Sequence, residues 1–164
     1  MTPHTRKHRG GWVILLSFVL AFMLTLLPIP EYARPFRPEW SALVLIYWCL
    51  ALPERVGVGT AFTVGVLLDV VTGTLLGQHA LGFSIIAYLT LVMHQRIRVA
   101  PVRQQALTVL VLLLLNQLLL LWIMGVTGYP PQSWTYWTAS LTGTLLWPWT
   151  FIIMREVRRR YKVN

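Results

Sequence analysis

The chain alternates apolar runs with short breaks marked by proline or glycine, and that alternation limits its fold more than any other feature. Six runs can be drawn, at residues 12–27, 40–52, 56–71, 81–93, 106–126 and 134–154. A helix needs roughly 20 residues, within about 17 to 25, to cross a hydrocarbon core about 30 Å thick. The last two runs are long enough, the first is borderline, and the second to fourth are short. With 56% hydrophobic residues and a mean hydropathy of +0.63, an ordinary soluble domain is excluded. The expected class is an all-α polytopic membrane protein of six transmembrane helices, a single integral membrane domain over residues 1–164. Prolines at 28, 30, 35, 38, 53, 101, 130 and 131 fall in the breaks, where helices stop. The proline-rich break after the first run is expected to be ordered and extended. Trp12, Trp40, Trp134, Trp137 and Trp149 lie near run ends, as expected of interfacial indoles.

Charge gives an independent test of topology. Of the 14 Lys and Arg residues, Arg6, Lys7, Arg9, Arg55, Arg96, Arg98, Arg103, Arg155, Arg158, Arg159, Arg160 and Lys162 fall on one side of a six-span arrangement. The other side holds only Arg34 and Arg37, offset by Glu31 and Glu39, while breaks 72–80 and 127–133 carry no charge. The positive-inside rule therefore puts both termini in the cytoplasm. A net charge of +9 could suggest nucleic acid, but these cations pack against span ends, where they attract anionic lipid at about 1 kcal/mol each. No nucleic-acid partner is expected; the lipid bilayer is the basic surface's partner. The cytoplasmic tail of Arg155, Arg158, Arg159, Arg160 and Lys162 reads as a topology anchor or a protein-docking element. The first run resembles a signal sequence but is followed by PIPEYARPFRP rather than a small-x-small cleavage site, which fits an uncleaved anchor. Cys49, the lone cysteine, leaves no internal disulfide or multi-cysteine metal site and reads as a core residue.

Within this apolar chain Asp69 is conspicuous. An ionised Asp at the centre of a membrane helix costs about 2.5–3.5 kcal/mol on insertion scales, so such residues face protein or a wet cavity. Gly57, Ala61, Gly65, Asp69 and Gly73 recur at steps of four, which keeps neighbouring members on one slowly drifting helical stripe. Gly57, Ala61, Gly65 and Gly73 mark a close-packing face that serves either helix contacts inside the molecule or a partner. Asp69 is either a proton or cation site, or a structural carboxylate bonded by the 72–80 break, where Thr72, Gln78 and His79 lie nearby. On the structural reading an amide at this position would keep much of the bonding. Asn116 and Gln117 interrupt the leucine-rich fifth run. They either line a solute pocket or bond to a neighbouring helix.

Catalytic chemistry is hard to assemble from these residues. His4 and His8 lie in the N-terminal segment, His94 lies at the cytoplasmic edge, and His79 with Asp69 is too few ligands for a metal. Ser17, Ser41, Ser84 and Ser140 have no base close in sequence, and neither a phosphate loop nor a dinucleotide fingerprint occurs. The chain is not expected to be an enzyme or to need a cofactor.

Several stretches carry a resemblance. GGWVILLSF in the first run, FRPEW at 36–40, YWCLALPERVGVGTAFTVGVLLDVVTGTLLG at 47–77 and LLWPWTFIIMREVRRR near the end are similar to the MreD family of rod shape-determining membrane proteins. The long central block is the specific part. The resemblance implies a six-helix fold like that of the substrate-binding S components of energy-coupling-factor transporters. It implies a non-catalytic scaffold of the bacterial cell-elongation complex in the inner membrane, supporting lateral peptidoglycan synthesis and rod shape. The implied partners are an MreC-like protein and, directly or through it, RodA, the class B transpeptidase and MreB. Phe36, Arg37, Pro38 and Trp40 are the outer-loop candidates for partner contact. The rival reading, suggested by the S-component likeness and by Asp69, Asn116 and Gln117, is a small-molecule binding or transport protein.

Overall fold

A computed structural model describes residues 10–131 and 133–163. Arg6, Lys7, Arg9, His4 and His8 lie outside the described residues. The described chain forms six α-helices and no strand: α1 Gly11–Leu26, α2 Trp40–Ala51, α3 Val58–Thr72, α4 Gln78–Val99, α5 Val102–Thr127 and α6 Thr138–Arg160. Two of them, α4 with 22 residues and α5 with 26, are long and apolar enough to cross a membrane. Helices α1 and α3 are shorter apolar helices.

Helix α2 is the centre of the molecule. Every residue from Ser41 to Ala51 is buried, so its 12 residues, about 18 Å of helix, are enclosed by protein. Helix α4 packs on one side of it and carries α3, α6 packs on another side and α1 along a third, while α5 bridges α4 and α6. Trp48 and Trp147, both fully buried, anchor the core with Phe83, Leu43 and Ile86. Trp48 carries a polar N–H into this interior and donates it to Ser17 Oγ at 2.8 Å, which ties α1 to α2 in a setting where an unmade bond would cost about 1–3 kcal/mol.

Helix ends follow local chemistry. Gly73 sits at φ 70 after α3, a left-handed conformation that glycine adopts without steric cost. The chain reverses there, and the N–H of Thr74 reaches back to Asp69 O at 3.1 Å. Gly128, at φ 88, ends α5 in the same way, with Tyr129 N–H on Met124 O at 2.9 Å.

Two sequence expectations need correction, and a third element is more regular than the sequence states. The proline-rich break is not extended: Glu31–Phe36 winds into a 3-10 turn, because proline's fixed φ suits 3-10 geometry as well as extended backbone. The fourth run, expected at 81–93, is part of a helix reaching Gln78 and Val99, since polar Gln78, His79 and residues 94–98 interrupt hydropathy but not helical bonding. The basic tail is helical for most of its length. Arg155, Arg158, Arg159 and Arg160 extend α6, Arg159 pairs with Glu156 at 3.0 Å, and the chain then folds back so that Val163 is buried against Gly10. Tyr161 meets Trp12 edge to face at 5.2 Å.

Candidate functional site

The polar residues of this apolar molecule gather where α1–α4 end beside Arg37 and Glu39, and where α5 passes beneath them. Asp69, in the last turn of α3, is fully buried. Its Oδ1 accepts from Thr74 Oγ1 at 2.8 Å, from the His79 backbone N–H at 3.0 Å and from His79 Nδ1 at 2.7 Å. Its Oδ2 accepts from the Gly77 N–H at 2.9 Å and, more distantly, from the Ala80 N–H at 3.5 Å. Three of these donors are the otherwise unpartnered backbone N–H groups around the N-terminus of α4. That terminus carries a partial positive charge, so the carboxylate both caps the helix and complements its dipole.

The donors are a subset of the residues in the 72–80 segment. Thr72 and Gln78 do not bond Asp69; Thr72 Oγ1 instead donates to Leu68 O at 2.6 Å. Asparagine is also a poor substitute. Both carboxylate oxygens face donors, so an amide would turn its own NH2 toward N–H or O–H groups on one side.

The small-residue stripe divides into two parts. Ala61 is fully buried, and Gly65 touches the backbone of α4. A Cβ on Gly65 would lie 2.5 Å from Ala80 N and 2.7 Å from the His79 carbonyl carbon, and would overlap Ala80 Cα. Both residues therefore pack inside the molecule, one turn below the Asp69 bonds. Gly57 and Gly73 do not belong to this contact. A Cβ on Gly57 would meet only Leu91 at 4.0 Å, and one on Gly73 would meet nothing within 4 Å. They stand just outside the two ends of α3, Gly57 before its first residue and Gly73 after its last.

The two amides of α5 serve different neighbours. Gln117 Nε2 donates to Tyr136 O at 2.9 Å, its Oε1 accepts from Ser140 Oγ in α6, and Tyr136 Oη donates to Gln117 O at 3.1 Å. This knot holds the 3-10 turn Trp134–Trp137 and the start of α6 against α5. Asn116 Nδ2 donates to Glu39 Oε2 at 2.6 Å. Its Oδ1 has no hydrogen-bond donor and sits against Gly82, where any Cβ would collide with it.

The segment that leads into α2 is bound more tightly to its own chain than its sequence suggests. Arg37 donates from Nη1 to Thr25 O and from Nη2 to Leu27 O, placing a cation on the carbonyl end of α1, where a cation is favoured. Pro38 is buried and Trp40 half-buried, whereas Phe36 is exposed. Thr138 Oγ1 donates to Pro35 O at 2.6 Å, joining this segment to the start of α6.

Glu39 is the participant that sequence reasoning passed over as a mere counter-charge to Arg37. Its signal was position, since it is the acid immediately preceding a run that becomes the buried α2. Among the described residues, no group of three or more His, Cys, Asp or Glu side chains forms a metal-binding cluster.

Comparison with known proteins places this arrangement in a family. The model for the rod shape-determining protein MreD matches residues 6–157. The chain belongs to the MreD family. It is 34% identical over 154 residues to the rod shape-determining protein MreD of Haemophilus influenzae, covering 93% of this chain and 95% of that one. No solved structure matches the chain significantly. Membership of the MreD family gives the chain a role in cell shape as a membrane protein, and the match covers all of α1–α5 and all but the last residues of α6, with the Asp69, Gln117 and Glu39 bonds inside it.

Proposed function

We propose that the chain is a non-catalytic scaffold of the cell-elongation complex, multi-pass in the bacterial inner membrane, that binds an MreC-like partner and supports lateral peptidoglycan synthesis. The observation that carries this reading is the rod-shape family match along nearly the whole chain. The physical design supports it. Charged side chains are few, and the polar ones described above are largely spent on internal bonds that fix one helix against another. Such a unit offers partners a rigid outline. Its lipid-facing helices, the exposed Phe36 and the basic end of α6 are the surfaces left for them.

In this reading all six helices cross, with both termini cytoplasmic, as one integral membrane domain resembling an S component. The short α2 is supported by its enclosure in protein, which removes the need to match the bilayer thickness alone. RodA, the class B transpeptidase and MreB are reached directly or through the MreC-like protein. Affinity purification of the tagged full-length chain from gently solubilised native membranes should recover the MreC-like protein. Recovery of no elongation component, from cells whose rod shape depends on the chain, would defeat the scaffold reading.

A further inference from the structure

The bonds described above leave one cavity unexplained. About 110 Å3 of space opens between the outer ends of α1 to α4, lined by Thr25, Arg37, Glu39, Ser41, His79 and Phe83 among others. That is room for a few water molecules, at roughly 30 Å3 each, or for one small polar group.

The hydrogen-bond inventory of its walls is one-sided. Glu39 contributes a carboxylate whose Oε2 is bonded by Asn116, while among the described residues none donates to Oε1. The carboxylate also forms no ion pair among the described residues, because Arg37 is committed to the carbonyls at the end of α1. Ser41 is 1% exposed, and its Oγ has no partner. By contrast, the Thr25 hydroxyl is already donated to Ala21 O at 2.8 Å. His79 Nδ1 lies 2.7 Å from Asp69 Oδ1 and is taken up by that carboxylate. The walls thus present an under-bonded carboxylate and an unpartnered hydroxyl oxygen, with the Arg37 guanidinium turned away to the end of α1. Leu68 and Phe83 close the remaining sides, which lowers the local dielectric and makes an unmet carboxylate more costly.

A primary ammonium group matches this inventory. It carries one positive charge and three N–H donors, whereas a quaternary ammonium has no donors and a carboxylate or phosphate would meet like charge. We propose that the cavity binds a primary ammonium group, entering from the outer side on the topology proposed above, paired with Glu39 and further held by Ser41. The group could be presented by a small free amine or by an ethanolamine lipid headgroup, because on the proposed topology the cavity lies at the outer ends of four helices, level with the headgroup layer.

The test uses full-length protein carrying Cys49→Ala and a reporter, Thr72→Cys, at the exposed mouth of the cavity. In nanodiscs of choline lipid, the reporter's modification rate is measured with 2-aminoethyl methanethiosulfonate and with its anionic 2-sulfonatoethyl counterpart. The expected cation-over-anion ratio is at least about tenfold higher with Glu39 than with Glu39→Gln, as a close carboxylate in a partly buried site dictates. Methylammonium should slow the cationic reagent, and tetramethylammonium should not. The second comparison needs no change at Glu39, so it still decides if Glu39→Gln folds poorly. If nanodiscs containing ethanolamine lipid protect the reporter without added amine, the headgroup is the source; if they do not, a free amine is. Equal ratios in the two proteins, or equal effects of the two ammonium ions, would overturn the proposal.

Discussion

Gly65→Ala is the sharpest perturbation of this architecture, because a single methyl group would be placed against a backbone that cannot yield like a flexible side chain. The added carbon would stand 2.5 Å from Ala80 N and 2.7 Å from the carbonyl carbon of His79, against an ordinary separation of about 3.5–4.0 Å. Relief requires α3 and α4 to part by roughly 1 Å, and such overpacking costs about 1–3 kcal/mol. The same movement stretches the bonds from the Gly77, His79 and Ala80 N–H groups to Asp69, now between 2.9 and 3.5 Å. A hydrogen bond to a charged group contributes about 1.5–3 kcal/mol, so a total loss of ~3–5 kcal/mol is expected. For a chain of this size each kcal/mol moves Tm by about 2–4 °C, which gives a fall of roughly 6–20 °C. Gly59→Ala in the same helix is the matched control: nothing lies within 4 Å of its added carbon, and alanine is the better helix former by about 1 kcal/mol. Thermal unfolding of the two purified proteins in one detergent decides the matter. Equal melting temperatures would refute the claim that α3 and α4 touch backbone to backbone.

Gly82→Ala should displace the Asn116 amide from Glu39 and destabilise by ~1–3 kcal/mol. Adding Asn116→Ala should recover part of that loss, and purely additive effects in a double-mutant cycle would speak against the contact. Ser17→Ala leaves the Trp48 N–H unpaired between α1 and α2 and should cost ~1–2 kcal/mol, measurable as a lower unfolding midpoint; no change would mean that the indole is satisfied elsewhere. With Cys49 replaced, a cysteine at Tyr129 should react with an impermeant reagent added outside intact cells and one at Arg98 should not, and labelling of Arg98→Cys would reverse the topology.

Much of this was legible in the residues. The apolar runs locate all six helices, and the isolation of Asp69 singles out the residue that, among the described residues, accepts the most side-chain and loop hydrogen bonds. Steps of four along α3 pointed to close packing, but periodicity alone cannot say where the helix begins and stops; Gly65 therefore sits in the contact while Gly57 and Gly73 stand at helix ends. Hydropathy misplaced the ends of the fourth run because helices continue through polar residues whenever backbone bonds can. Glu39 was illegible as a site residue for a different reason. Its partner Asn116 lies 77 positions along the chain, and only the packing of α4 against both α2 and α5 brings the two together.

The account treats Asp69 as a holder of the fold and not as an ion carrier, and one paired measurement on Asp69→Asn tests that directly. Protein accumulation in the membrane and restoration of rod shape are scored in the same cells, with the variant as the sole copy. Because the amide opposes donors that the carboxylate accepts, accumulation and rod shape should fall together. Normal accumulation with lost rod shape would contradict the account and assign the function to the charge itself.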